Sequence, residues 1–201
     1  MTDKPAPRGA EDRFTFDPHD PVPTRGGSLC CNPKVFPWGP MDQRPVEHRK
    51  DVLVYTTRPL KQDMEAIGPV QVVLYVATSA KDTDFTAKLV DVFPDGYARN
   101  LTDGILRLRY RNSLETPELV KEGDIYRVTV DAGVSSNVFL KGHSIRVEIS
   151  SSNFPRFDRN PNTGGIVADD TRLLPASQTV YHDHDHPSHL SLLVMPPDHA
   201  R

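Results

Sequence analysis

An all-β fold, either an antiparallel sandwich or a jelly roll, is predicted from three features of this sequence. Segments of alternating or β-branched residues recur along the chain, with turn residues between them. The 201 residues include 19 prolines, and proline disfavours long helices because it lacks the backbone donor and clashes with the preceding turn. No segment has the pattern of a long helix. Roughly six to nine short strands separated by turns are typical of sandwiches and jelly rolls.

Residues 1–50, here called the strap, are predicted to be an irregular N-terminal connector. They contain FDPHDPVPTRGG at residues 16–27, where each proline biases the preceding residue toward extended or turn geometry. We expect the strap to lie in an extended form on a sandwich built from residues 51–201. On this view the strap is part of the same domain.

The strands follow in order from residue 51. Residues 52–57 and 69–79 are rich in β-branched side chains, and residues 85–92 alternate in a way that predicts a half-buried strand. Pro94, Asp95 and Gly96 predict the turn after it. Residues 125–133 and 143–151 are expected to form two further strands, and residues 178–182 and 188–195 two short closing ones.

Three arginines alternate with apolar residues in one predicted strand. Period two places Arg107, Arg109 and Arg111 on one face and Leu106, Leu108 and Tyr110 on the other. The simpler interpretation is a solvated face whose aliphatic stems cover apolar neighbours. The alternative is a basic face that meets an acidic partner.

Charge and composition make several classes of partner improbable. The net charge is −3 and no basic stripe with interleaved aromatics occurs, so we expect no nucleic-acid partner. No apolar run approaches the ~20 residues that span a bilayer, so we expect no membrane partner. The first residues lack the apolar region of a secretion signal. Cys30 and Cys31 are adjacent and give no disulfide framework, so a cytoplasmic location is expected.

Catalytic and cofactor motifs are not found. The sequence has no G-x-S-x-G elbow, no phosphate-binding loop and no G-x-G-x-x-G, so we predict no catalytic residue and no cofactor. His182, His184 and His186 would share one face of a strand and could then bind zinc or nickel. Pro187 interrupts that strand, so a solvated turn is the favoured interpretation and a metal site the weaker alternative.

The stretch SSSNFPRFDRNPNTGG, residues 150–165, is here called the corner loop. It follows a predicted core strand and combines aromatic, charged and turn residues. We expect Phe154 and Phe157 to plug the edge of the sandwich. We also expect Asp158 to pair with Arg156 or Arg159, since an irregular loop needs such charged hydrogen bonds. The loop is interpreted as structural or as part of an interface.

Five long stretches together resemble one known domain. They are FDPHDPVPTRGG, GPMDQRPVEHRKDVLVYTTRPL, ATSAKDTDFTAKLVDVFPDGYARNLTDGILRLRYR, SSNVFLKGHSIRVEISSSNFPRFDRNPNTGG and QTVYHDHDHPSHLSLLVM. They are similar to the C-terminal domain of the cocaine-esterase and X-prolyl dipeptidyl-peptidase (CocE/NonD) family of serine hydrolases, from about residue 14 to residue 195. The resemblance implies a jelly-roll, galactose-binding-like β-sandwich. In that family it follows an α/β-hydrolase domain that carries the Ser-Asp-His triad and cleaves acyl esters, amides or X-Pro dipeptides.

The resemblance implies an accessory role for this chain. The family's nucleophile and triad have no matching positions here, so the expected function is a non-catalytic domain that is inactive alone and supports an α/β-hydrolase domain or subunit. It is a C-terminal piece of a larger hydrolase, a separate gene product or a subunit. Self-association into a homo-oligomer through an exposed apolar patch is also expected. The alternative is a free-standing carbohydrate- or peptide-binding jelly roll, for which Trp38, Phe154 and Phe157 are the aromatic loop candidates.

Overall fold

Two antiparallel β-sheets make up the sandwich in the computed structural model, which describes residues 9–29, 32 and 34–196. The strands are β1 (Glu11–Phe16), β2 (Leu53–Thr56), β3 (Met64–Thr78), β4 (Asp84–Val92), β5 (Ala98–Arg107), β6 (Tyr126–Phe139), β7 (Ser144–Ser150), β8 (Ala176–Tyr181) and β9 (His189–Val194). A single helical turn, α1 (Arg44–Glu47), and a 3-10 helix, Leu108–Tyr110, are the helical elements among these residues. Neither is long and apolar enough to span a bilayer.

The order of the strands is that of a jelly roll. One sheet runs β1-β8-β3-β6 and the other β2-β7-β4-β5, and every strand pair is antiparallel. Strand numbers of the pairs β1–β8, β2–β7, β3–β6 and β4–β5 add to nine, as expected when one long hairpin folds over into two Greek keys. The ninth strand, β9, continues beside β8 on the same edge of β3. This confirms the predicted all-β fold class.

The core lies between the two sheets. Phe16, Phe85, Phe139 and Ile149 are buried there, and Phe14 meets Phe85 edge-on with ring centroids 6.5 Å apart. Each fully buried side chain of this size contributes roughly 1.5–3 kcal/mol through the apolar area that it removes from water. The alternation in β4 and β7 supplies half of these residues and fixes which face of each strand looks inward.

The prediction that the strap is irregular throughout was wrong at two places. Residues 11–16 form β1, which pairs along its whole length with β8, and α1 forms near the strap's end. Phe14 and Phe16 point into the core. They alternate with Arg13 and Thr15, a period-two signal that the nearby prolines obscured.

The turn predicted after β4 is confirmed, but the half-buried character of that strand was wrong. The Phe93 and Gly96 amides donate to the Tyr97 and Phe93 carbonyls at 2.9 Å each, and Gly96 has a φ of +86° that favours glycine. All nine residues of β4 are buried, however. The reason is tertiary: the strap and the corner loop cover the outer face of the four-stranded sheet.

Candidate interaction surface

A row of buried charges crosses the outer face of the four-stranded sheet. Lys88 on β4 stands opposite Glu148 on β7 and Asp103 on β5, and all three are buried. We call these residues, together with Gln43, Glu47, Arg146, Asn153 and Arg156, the polar layer. The alternation that points Ala87 and Leu89 into the core forces Lys88 outward, where other segments cover it.

Gln43 fastens the strap onto this layer. It is fully buried. Its side-chain amide donates to the Arg25 carbonyl at 2.9 Å and the Met41 carbonyl at 3.0 Å. Its side-chain oxygen accepts from Lys88 Nζ at 3.2 Å, and its backbone amide donates to the Ala98 carbonyl at 2.8 Å. One side chain therefore links three strap and sheet segments.

The corner loop reaches the same layer from the other side. Arg156 Nε lies 2.9 Å from Asp103 Oδ2, and the Asn153 side-chain amide donates to the same oxygen at 2.9 Å. Burial raises the pKa of Asp103, and the Arg156 charge opposes that rise. Arg156 also lies over the Phe157 ring, 5.1 Å from its centroid. Arg156 therefore contacts a carboxylate and an aromatic ring in the same layer.

The pairing expected for Asp158 was wrong. Arg156 pairs with Asp103 instead, and Arg159 donates to the Pro18 carbonyl at 3.1 Å, while Asp158 is exposed. The prediction favoured Arg156 and Arg159 because they are close to Asp158 along the chain. The buried Asp103 attracts the Arg156 guanidinium more strongly, because there is less water between the two charges to screen them.

Phe154 does not plug the sandwich edge as predicted, because 39% of it is exposed. Its backbone is nevertheless fixed: its amide donates to the Val22 carbonyl at 2.9 Å, and its carbonyl accepts from Thr24 at 2.6 Å. The Phe154–Pro155 peptide bond is cis. Phe157 is half-buried. The loop thus holds one aromatic ring outward on a backbone that is paired with the strap.

Two salt bridges and an asparagine tie down the far end of the corner loop. Arg107 makes two parallel bonds to Asp84 at 2.9 and 3.0 Å, and Arg109 contacts Asp82 at 2.8 Å. The buried Asn160 amide donates to both carboxylates at 2.8 Å. Burial raises the pKa of Asp84, and its bonds to Arg107 oppose that rise.

Arg107, Arg109 and Arg111 therefore form neither a solvated face nor a basic face that is free to meet a partner. The strand ends at Arg107, and the next residues turn into the 3-10 helix. Arg111 lies 3.3 Å from Glu118 and over the Tyr126 ring at 4.7 Å. All three guanidinium groups are committed to partners within the chain.

Exposed apolar residues project from the strap next to this scaffold. Backbone hydrogen bonds of 2.8 and 2.9 Å join Gly27 and Gly39 and close a loop over residues 28–38. Val35, Phe36 and Trp38 in that loop are 59%, 40% and 47% exposed. We call these three residues and Phe154 the aromatic edge.

Both parts of the aromatic edge are anchored on strap residues 23–27. Phe154 forms a bridge with Pro23, and the 28–38 loop closes on Gly27. Cys30 and Cys31 lie outside the described residues.

The histidine-rich segment is not a strand with three imidazoles on one face. β8 ends before His182, so the alternation that a shared face requires is lost. His182 Nε2 lies 3.0 Å from Asp12, His184 is exposed, and His186 Nδ1 lies 3.1 Å from Asp183. No group of three or more potential ligands suited to a metal ion occurs within the described part of the chain.

Sequence reasoning missed Gln43, Glu148 and Asn160 as members of the buried network. A signal existed for one of them: Glu148 is a charged residue that alternates with the apolar Val147 and Ile149 in β7. Such a residue indicates an outer face that is either solvated or covered, and the strand alone does not decide between the two.

Comparison with known proteins gives a consistent picture. The profile of the X-Pro dipeptidyl-peptidase C-terminal non-catalytic domain matches residues 2–191. The cocaine esterase of Rhodococcus sp. (strain MB1 Bresler) is 49% identical over 186 residues, which are 92% of this chain and 32% of that protein.

Two solved structures share the fold closely. An aminopeptidase from the marine sediment archaeon Thaumarchaeota archaeon has a TM-score of 0.86 at 31% identity, and an α-amino acid ester hydrolase has a TM-score of 0.84 at 30% identity. In both, the match covers 96% of this chain and 34% of the other. The chain thus spans about a third of the length of these relatives.

Proposed function

Because this chain belongs to the X-Pro dipeptidyl-peptidase C-terminal non-catalytic domain family, we propose that it supports the α/β-hydrolase domain of a CocE/NonD-type serine hydrolase, in cis or in trans. The α/β-hydrolase partner follows from the family resemblance. The aromatic edge is the surface we assign to that contact. In this role the chain contributes no nucleophile and no base to catalysis.

The observation that carries the proposal is an exposed aromatic edge on a fixed backbone. Single exposed apolar residues are ordinary, but a group of them on a pinned segment is typical of an interaction site. Trp38 and Phe154 are large rings of the kind that dominate interface energetics. Because the backbone of Phe154 is paired with the strap, and Trp38 directly precedes Gly39, which is paired with Gly27, little ordering entropy is lost on binding. Arg159 lies over the Phe154 ring, 5.9 Å from its centroid, and Arg156 lies over the Phe157 ring in the same loop.

The substrate class proposed for the assembled enzyme is an acyl ester or a related amide. The relative that shares 49% identity is named as an esterase, and the structural relatives are named as an aminopeptidase and an amino acid ester hydrolase. We favour the ester because the esterase shares the higher identity. X-Pro dipeptides are the alternative that the family name suggests.

Co-purification tests the docking proposal. This chain is produced in the same cells as the part of the Rhodococcus cocaine esterase that it does not match. We expect a stable complex, and Trp38→Ala should reduce the recovered partner by at least about tenfold, because hot-spot aromatic rings contribute more than 1.4 kcal/mol. Leu114→Ala is the matched control, since Leu114 is an apolar residue outside the aromatic edge and 84% exposed. Absence of a complex, or equal losses for the two variants, would contradict the assignment.

Activity measurements separate the non-catalytic role from a hidden active site. The chain alone should neither hydrolyse nitrophenyl acetate nor be labelled by a serine-directed fluorophosphonate. A labelled serine in this chain would overturn the proposal. Binding of a defined sugar on a glycan array, together with loss of that binding in Trp38→Ala, would instead support the free-standing carbohydrate-binding module.

Self-association and cellular location stay predictions. The homo-oligomer expected from the sequence would use the aromatic edge, so sedimentation velocity should show a dimer that Trp38→Ala dissociates. The cytoplasmic location is checked by fractionating cells that produce the chain from its own gene.

A further inference from the structure

Two carboxyl groups meet where α1 of the strap lies on β7. Glu148 is buried in the sheet's outer face, and Glu47, the last residue of α1, contacts Arg146 on the same face of β7 at 2.7 Å. No described residue forms a hydrogen bond to either oxygen of Glu148 or to Oε1 of Glu47. Three buried acceptor atoms without donors in one place are unusual, because each such atom costs about 1–3 kcal/mol when it is left unsatisfied.

No nearby cation among the described residues hydrogen-bonds these three oxygens. Lys88 Nζ lies 3.5 Å from Glu148 Oε2, farther than its 3.2 Å hydrogen bond to Gln43, so it compensates the charge of Glu148 only weakly. Arg146 contacts the other oxygen of Glu47 at 2.7 Å and donates to Thr56 at 2.8 Å.

The remaining neighbours add no free positive charge. Asp103, on the far side of Lys88, forms a salt bridge with Arg156. On β2, the residue opposite Glu148 is the apolar Val54. With both glutamates ionised, the layer would hold Glu47, Glu148 and Asp103 against Lys88, Arg146 and Arg156, with Glu148 only weakly compensated.

We propose that Glu47 and Glu148 share one proton at this contact, and that loss of the proton loosens the strap from the sheet. A carboxylic acid that donates to a carboxylate satisfies two of the three unpartnered oxygens with a single strong hydrogen bond. Without the proton, two like charges face each other in a place with little water. The strap segment held by this contact includes α1 and Gln43.

The direction of titration agrees with this geometry. Burial and the neighbouring Glu47 carboxylate raise the pKa of Glu148 and Lys88 opposes the rise, with a net value of about 7. Because the raised pKa belongs to the folded state, the folded chain keeps its proton in a range where the unfolded or detached segment has lost it. The contact is therefore strongest below the ordinary pKa of a glutamate, and it weakens as the pH rises from there through about 7. The proposal concerns this chain alone and stands whether or not the docking partner is a hydrolase domain.

Hydrogen exchange of the α1 backbone amides tests the switch on the full chain. The Gln43 amide donates to Ala98, and the Val46 and Glu47 amides donate to Gln43, so their protection reports strap attachment. Protection factors, corrected for the intrinsic pH dependence of exchange, should fall about tenfold between pH 6 and pH 8 if one proton is released.

Glu148→Gln and Glu118→Gln form the variant pair. The first replaces the shared proton by a permanent amide donor, so its protection factors should stay within about twofold across the same range. The second removes an exposed glutamate that pairs with Arg111 and should behave like the wild type. A wild-type protein without the tenfold change, or a Glu148→Gln variant that keeps it, would overturn the proposal.

Carboxyl ¹³C NMR of the wild-type protein gives a readout that does not depend on the folding of a variant. One glutamate carboxyl carbon should titrate with a midpoint near 7, and Glu47→Gln should move that midpoint downward because it removes the neighbouring negative charge. If every glutamate carboxyl titrates below about pH 5.5, within the usual spread for glutamate, no proton is shared and the proposal fails.

Discussion

The outer face of the five-stranded sheet is open to solvent, whereas the outer face of the four-stranded sheet is covered by the strap and the corner loop. β6 is buried only at Val128, Val130, Ala132 and Phe139, whereas β4 is buried at every position. Asp131 on β6 is exposed, and its side chain accepts a local hydrogen bond from the Gly133 amide at 2.8 Å. Lys88 on β4 needs Gln43, Glu148 and Asp103 instead.

The difference shows how a covered sheet face can fix the position of the segments that cover it. Buried ion pairs contribute little net stability, since desolvation offsets much of their attraction, but a broken pair is costly. The polar layer therefore selects one position of the strap and corner loop over others. That fixed position is what presents the aromatic edge outward.

The largest effect is expected inside the sandwich, beneath both outer faces. Phe85→Ala should lower the free energy of unfolding by about 4 kcal/mol, because it removes a fully buried ring and leaves a cavity. Urea denaturation monitored by circular dichroism measures this. A loss below about 1 kcal/mol would show that the core can collapse around the site.

A slightly smaller effect is expected in the covered outer face. Lys88→Met should cost about 3 kcal/mol, because the buried Glu148 then loses the cation opposite it and Asp103 keeps only Arg156. Replacing Lys88 and Glu148 together by Met and Leu should cost less than Lys88→Met alone, as measured in the same urea series. If the double variant is less stable than Lys88→Met alone, the polar layer stabilises the fold itself. That result would contradict the view that the layer mainly fixes the position of the strap and the corner loop.

Phe157→Ala should cost about 1–2 kcal/mol, between the buried and exposed cases, because its ring is only half-buried under Arg156. Phe154→Ala, a matched change in the same loop, should cost less than about 0.5 kcal/mol. Thermal denaturation of both variants compares them directly. Equal losses would mean that the two rings are buried alike.

The smallest effect is expected on the open face. Val134 on β6 is 76% exposed, so Val134→Thr should change the free energy of unfolding by less than about 0.5 kcal/mol. A larger loss would indicate that something covers this face as well, and would remove the contrast between the two sheets.

Sequence patterns predicted the inner faces well because period two fixes which residues share a face. The positions of β2, β4, β7, β8 and β9 and the turn at Gly96 agree with the structure, and the family resemblance agrees with the profile match. The strand expected to run through Arg111 ends at Arg107. What covers an outer face depends on distant segments, so the burial of Lys88 and the partner of Arg156 could not be read from their own strands. β1 was missed because Phe14 and Phe16 give only two apolar positions beside a proline-rich stretch.

The aromatic edge was predictable only in part. Trp38 and Phe154 were recognised as loop aromatics, but their exposure follows from backbone contacts with residues 22–27 and 39 that no local pattern encodes. The expectation that Phe154 would be buried failed for this reason.

Hydrogen exchange of this chain, free and in complex with the part of the Rhodococcus cocaine esterase that it does not match, tests the central claim most directly. Docking through the aromatic edge predicts slowed exchange in residues 34–39 and 153–157, and unchanged exchange in β6 and β9 on the open face. Slowed exchange confined to β6 and β9 would contradict the account, because the partner would then sit on the opposite sheet.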